Sequence, residues 1–200
     1  MLIFGNILLF GLRQGEPEGF SRKFSDAALA RTESNVRYDG RYMKIGYPGG
    51  DVPSGTGVCT DVLIRAYRII GVDLQKDVHT DLKENFTKYP DIWGLKKPDA
   101  NIDHRRVPNL RVFFSRRGVK LPLTMNSDDY LPGDIVSWQL LSGLPHIGIV
   151  VDRRSEDGKR YLVVHNISAG PELEDVLFSY KITGHYRYYG KYPETPVILN

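Results

Sequence analysis

One cysteine and five histidines are the side chains of this chain best suited to nucleophilic and proton-transfer chemistry. The cysteine, Cys59, stands where the glycine-rich run GYPGGDVPSGTGV gives way to a helical pattern. Gly49, Gly50, Gly55 and Gly57 preclude a regular element before it, and Pro48 and Pro53 stiffen the run. From Val58 onward, Val62, Ala66, Ile69 and Ile70 recur at helical spacing, and Gly71 supplies a stop. Ser54 or Thr56 is the expected cap. A thiol in a first helical turn meets free N–H groups and the positive end of the helix dipole. That placement predicts a depressed thiol pKa and makes Cys59 the candidate nucleophile. The plain alternative is a small buried hydrophobe.

Two histidines stand in strand-like segments. His146 opens one directly after Gly143-Leu144-Pro145, and His165 lies near the end of the next. An imidazole can take a thiol proton and return it to a leaving amine when a third group fixes its tautomer. Pairing register selects that group. A hairpin turning near Glu156–Asp157 sets His165 opposite Gly148, on the face of His146 and diagonal to it. A strict turn at Asp157-Gly158 slides His165 two positions further off, and a one-residue slip brings Asn166 to that face. His165 is favoured, with Asn166 in reserve. The thiol and imidazole work only near hydrogen-bond range, so the start of the Cys59 helix must meet the strand edge where His146 begins.

Composition bounds the rest. The chain has 200 residues, 41% of them hydrophobic, and a net charge of +3 with both signs interspersed. One core and one domain are expected, without a dedicated nucleic-acid surface. A single cysteine excludes an internal disulfide framework. No spacing matches a zinc helix or knuckle, so neither a metal nor another cofactor is implied. His79 falls mid-helix on a packed or solvated face. The opening MLIFGNILLFGL is too short to span a bilayer but suits the apolar region of an export signal, although a basic leader and a small-residue cleavage site are missing. Export, to a periplasm, is the expectation.

The elements that must position these groups divide into two halves. Residues 14–24 read as a linker and Ser25–Arg31 as a short helix. Helices follow at Leu74–Tyr89 and Pro108–Arg117, the latter opened by proline and closed by Gly118. Between them, DIWGLKKPDANIDHRRVP is a long, charged, aperiodic loop of the kind usually kept for function. After Gly118 the pattern alternates, giving strands at Asp134–Leu140, Ile147–Asp152, Tyr161–Asn166 and Ile182–Tyr189. Helices first and strands after predict an α+β fold, with N-terminal helices packed on an antiparallel sheet. The expected layout is an N-terminal segment and linker (1–24), a domain over 25–190 with an insertion at about 74–118, and a tail (191–200).

TGVCTDVLIRAY, LPGDIVSW, PHIGIVVD and YLVVHN, in that order, resemble the motif series of the NlpC-type cell-wall peptidases, papain-like cysteine hydrolases of peptidoglycan. Tyr47, Gly49 and Gly50 match that family's tyrosine-glycine-glycine element. With NIDHRRVPNL, HNISAGP and ITGHYRYY included, the chain resembles more closely the YijF-like family of uncharacterised bacterial proteins, over roughly residues 26–189. The resemblance implies Cys59 as nucleophile, His146 as base and His165 as orienting residue. It also implies Tyr47 lining the site and the Cys59 N–H helping to form an oxyanion hole. Val58-Cys59-Thr60-Asp61 departs from the Asp-Cys-Ser-Gly usual in NlpC-type enzymes, whose aspartate holds a substrate amine. Asp61 and the loop residues Asp103, His104, Arg105 and Arg106 become candidate substrate contacts, an arginine fork being suited to carboxylates. The alternative is that these charges are ion pairs anchoring the loop.

The reading is a monomeric, exported thiol hydrolase or amidase acting on a cell-wall peptide. Its rivals are a binding module or inactive relative, which needs only the cleft, and a thiol acyltransferase, which needs a site dry enough to exclude water.

Overall fold

The computed structural model describes residues 16, 17 and 19–190. The expectations for residues 1–12 and 191–200 lie outside the described residues. Four helices precede most of the sheet: α1 (Phe20–Leu29), α2 (Cys59–Ile69), α3 (Leu74–Asn85) and α4 (Val107–Arg117). Strands β1 (Arg37–Tyr38) and β2 (Thr56–Gly57) form a small parallel pair just before α2. The main sheet comprises β3 (Val119–Lys120), β4 (Ile135–Gln139), β5 (Pro145–Arg154), β6 (Tyr161–His165), β7 (Glu172–Glu174) and β8 (Lys181–Arg187). Its order is β3-β8-β4-β5-β6-β7 and every pairing is antiparallel. The mixed helix-and-antiparallel-sheet class is as expected.

The sheet separates two apolar clusters. Ile135, Ile147, Ile149, Val151 and Val164 face α1, α2 and α4, while Val136, Trp138, Val150 and Val163 face Tyr130, Tyr161 and Leu177. Alternation along each strand produces this division. Among the described residues no helix is long and apolar enough to cross a membrane.

Helix α2 is central, and all nine residues from Cys59 to Tyr67 are buried. A helix buried all round must pair its charges, because an unpaired buried ion is costly. Asp61 accepts the Val58 N–H at 2.7 Å and receives Arg105 through Nε and Nη2, both at 2.9 Å. Arg65 reaches Asp51 at 3.0 and 3.2 Å and donates to the carbonyls of Val52 and Pro53. Arg68 holds Asp51 and the Gly50 carbonyl. Gln75 accepts the Gly50 N–H and donates to the Gly46 and Ala100 carbonyls. The glycine run is therefore clamped onto α2 and α3. A Cβ on Gly50 would lie 1.9 Å from the Gly46 carbonyl oxygen, so only glycine closes that turn. Neither Ser54 nor Thr56 caps α2; Val58 holds the cap position and Asp61 reaches back to its N–H.

Helix α1 begins at Phe20, where a linker was expected, because Phe20 and Phe24 carry the apolar face. Phe24 stacks on Tyr67 at 4.1 Å. Arg105 is a second correction. Its fork is filled by Asp61 and its remaining N–H groups approach the carbonyls of Arg41 and Asp39, so the open carboxylate reader expected there is instead an anchor. We expect Arg105→Gln to lower unfolding free energy by about 3–5 kcal/mol in urea titrations, the cost of stranding a buried partner. Arg106→Gln, which breaks a partly exposed pair with Asp103, should cost only about 1–2 kcal/mol.

Candidate active site

Cys59 is the first residue of α2, and Pro145 and His146 are the first two of β5. Cys59 and Pro145 both line one groove of about 360 Å³, bordered by Tyr38, Trp93, Ile102, Arg106 and Pro108. The sulfur approaches β5 from the helical face, where the Ile147 N–H is directed at it. His146 projects from the other face, beside its cross-strand partner Trp138, with ring centroids 5.9 Å apart. Thiol and imidazole thus flank one peptide unit, His146–Ile147.

His146 Nε2 lies 2.9 Å from His165 Nδ1, and both rings are buried, 3% and 1% exposed. The register that brings them together is the favoured one, reached through a strand irregularity. The hairpin turns at Glu156–Asp157, where the Gly158 N–H bonds back to the Ser155 carbonyl, inside a four-residue loop closed by the Ser155 N–H on the Arg160 carbonyl. Arg154 accordingly pairs with Tyr161. An irregularity between Val150 and Arg154 then shifts the pairing to Val150 with Val163 and Ile149 with Val164. Continued one step, that register sets Gly148 opposite His165. A Cβ on Gly148 would stand 3.0 Å from the His165 Cβ and 2.8 Å from Val163 Cγ1, so glycine leaves room for the second imidazole.

Glu174 extends the line. Its Oε2 lies 2.8 Å from His165 Nε2, a close charge contact without the alignment of a directed hydrogen bond. Strand β7, which carries Glu174, is too short to announce itself in the sequence. A carboxylate there favours a proton on His165 Nε2, which leaves Nδ1 to accept from His146 Nε2–H and leaves His146 Nδ1 as the basic nitrogen. Burial, with His165 adjacent, pushes His146 down to about 3. Burial also lowers His165, against the opposing pull of Glu174 and Glu172. Both rings are neutral at pH 7.

The thiol corrects an expectation. Cys59 is 5% exposed, and burial, reinforced by the Asp61 carboxylate, pushes its pKa up to about 12. The N–H groups of Ile147, Thr60 and Cys59 itself pull the other way, but desolvation outweighs them. The resting site is a thiol beside neutral imidazoles, not a preformed thiolate.

The remaining candidates separate. Asn166 is buried with neither side-chain amide atom bonded among the described residues, near Arg31, Val58 and Asp61, so it does not orient His146. Tyr47 is 47% exposed and packs edge-on against His79, at 4.8 Å between centroids, and does not line the groove. Tyr38 lines it instead, brought there by pairing with Gly57, and burial, with the Asp61 carboxylate nearby, raises its phenol pKa. Asp103 and His104 are buried; Asp103 accepts the Asp99 N–H, and burial pushes His104 down to about 3. Of the charged loop Arg105 and Arg106 both line the groove, but the Arg105 fork is filled by Asp61, while Arg106 carries its guanidinium 4.0 Å above the Trp93 ring.

Native alkylation of Cys59 should therefore be slow from pH 6 to 9, with no inflection below the ~8.5 of a free thiol. An inflection near pH 6 would show a preformed ion pair and contradict this electrostatic picture.

A family profile described as "Domain of unknown function (DUF1287)" matches residues 25–188. "Uncharacterized protein YijF" of Escherichia coli (strain K12) is 54% identical over 167 residues, 84% of this chain and 81% of the relative. Among solved structures, an N-acetylmuramoyl-L-alanine amidase from Bacteroides uniformis is similar in fold, with a TM-score of 0.50. It is 14% identical, and the match covers 84% of this chain and 98% of the amidase. At that identity the likeness concerns the fold alone. The family match runs from within α1 to the end of β8, through both histidine strands and the cysteine helix: the chain belongs to the DUF1287 family, together with YijF.

Proposed function

We propose that the protein is an exported, papain-like hydrolase of NlpC type that cleaves an amide bond in a cell-wall peptide. The observation that carries this reading is the buried His146–His165 pair, set on the peptide unit that the Cys59 sulfur touches from the other side. Packing does not require two imidazoles there, and burying them costs stability. Two buried imidazoles with perturbed protonation, one of them next in sequence to Pro145 on the groove wall, suit a chemical site. The fold likeness to a cell-wall amidase agrees with it.

In this mechanism substrate fills the groove, and the sulfur attacks the amide carbonyl carbon as its proton passes round the start of β5 to His146 Nδ1. That transfer requires substrate binding to bring thiol and imidazole together, since no Cys59–His146 hydrogen bond is formed among the described residues. The Cys59 N–H, a helix-start donor without an intrahelical acceptor, faces the developing oxyanion. Collapse breaks the C–N bond, and the amine leaves with the proton held by His146. Water then gives a proton to His146 and attacks the thioester, which releases the acid and restores the thiol. Glu174 acts through His165 as a positioning residue, compensating the positive charge while the dyad holds the proton. A non-catalytic binding module is the second reading, and the 5% exposure of Cys59 favours it.

Purified sacculi incubated with wild type should release soluble fragments, and Cys59→Ala should release none. Equal release from both proteins would end the thiol reading. Glu174→Gln should give the same products about tenfold more slowly, less than the roughly 10²–10⁴ of the base itself, with the acid limb of the pH–rate profile displaced.

A further inference from the structure

A second groove, of about 500 Å³, lies along the outer face of α4 between that helix and β8. Pro108 lines both it and the Cys59 groove, so the two adjoin across that residue. Lys88, Arg111, Arg116 and Lys120 line the second groove, and no acidic side chain does. Arg116 is held by Asp81, but Lys88, Arg111 and Lys120 have no carboxylate within ion-pair distance among the described residues. Arg111 spends one N–H on the Thr183 carbonyl, at 3.1 Å, and its buried Nε bonds to nothing described.

The floor is built as well. Tyr186 lies back over Gly184, where an added Cβ would sit 2.2 Å from the phenol oxygen. Only glycine permits that approach. It leaves a hydroxyl with no hydrogen-bond partner among the described residues at the base of a cationic groove.

We propose that this groove is an anion subsite for the carboxylate-bearing arm of the peptide whose amide is cut beside Cys59, an inference that rests on the hydrolase reading above. Three uncompensated cations, one of them an arginine with an N–H that lacks an acceptor, and a hydroxyl donor together match carboxylates. Arg111 is three residues beyond Pro108, about 4.5 Å along the helix axis, so an extended peptide crossing Pro108 reaches it within about two residues. The subsite supplies the carboxylate recognition that Arg105, filled by Asp61, does not.

The test measures binding and cleavage separately. Cys59→Ala protein is titrated with a soluble disaccharide-tetrapeptide from peptidoglycan, and with the same fragment after its carboxyl groups have been amidated. The charged fragment should bind at least tenfold more tightly, and raised salt should erase the difference. Adding Lys88→Gln and Lys120→Gln, both exposed and remote from the core, should abolish that preference and leave the amidated fragment unaffected. Arg111→Gln should do the same, with circular dichroism as the check on folding. Equal binding of the two fragments, binding of neither, or tighter binding of a short polyphosphate would overturn the subsite. Cleavage of sacculi by the wild-type protein is scored independently, so loss of the subsite and loss of the hydrolase reading are distinguishable.

Discussion

The buried ion pair between Asp61 and Arg105 is the constraint on which the rest of the site depends. Asp61 joins three things at once: the N–H of Val58 before the cysteine, the first turn of α2, and the 103–105 turn that precedes α4. Arg105 adds the carbonyls of Asp39 and Arg41, next to Tyr38. A pair of this kind contributes little net stability against a well-packed apolar replacement, because both ions lose their water. What it does is fix position. It sets the start of the cysteine helix, one wall of the groove and the strand carrying Tyr38 in a single arrangement.

The same desolvation governs the chemistry. Burial keeps Cys59 protonated and both imidazoles neutral, so no thiolate–imidazolium pair exists at rest. The carboxylate of Glu174, at the solvent end of the histidine line, is placed to compensate a proton once His146 accepts one. In the mechanism proposed above, charge separation between thiol and imidazole therefore waits for substrate. A neutral resting site also explains why the helix start fails to acidify the thiol. The dipole contributes roughly 1 kcal/mol, whereas desolvation shifts pKa values by several units.

Much of this was legible in the sequence. The Cys59 helix, α4 and its proline, the four long strands and the shared face of His146 and His165 follow from periodicity and turn residues. The turn at Glu156–Asp157 and the register came out as favoured, although the loop offsets the pairing at Arg154 and a strand irregularity that no sequence pattern marks restores it. What escaped depends on contacts remote in sequence. Arg105 reads equally as a substrate fork or an anchor until Asp61 is placed against it. Tyr38 reaches the groove only through a two-residue parallel pairing, while the more conspicuous Tyr47 packs on His79. Glu174 sits on a three-residue edge strand below the length at which alternation is detectable.

The central claim is that Cys59 forms a covalent bond to substrate. Intact-mass spectrometry of protein mixed with a soluble muropeptide and quenched in acid within its first turnover reads this directly. The account predicts an added mass equal to the acyl fragment, mapped to Cys59, lost on hydroxylamine treatment and absent from Cys59→Ala. Cleavage of the muropeptide with no adduct on Cys59 at any quench time, and unimpaired in Cys59→Ala, would contradict it.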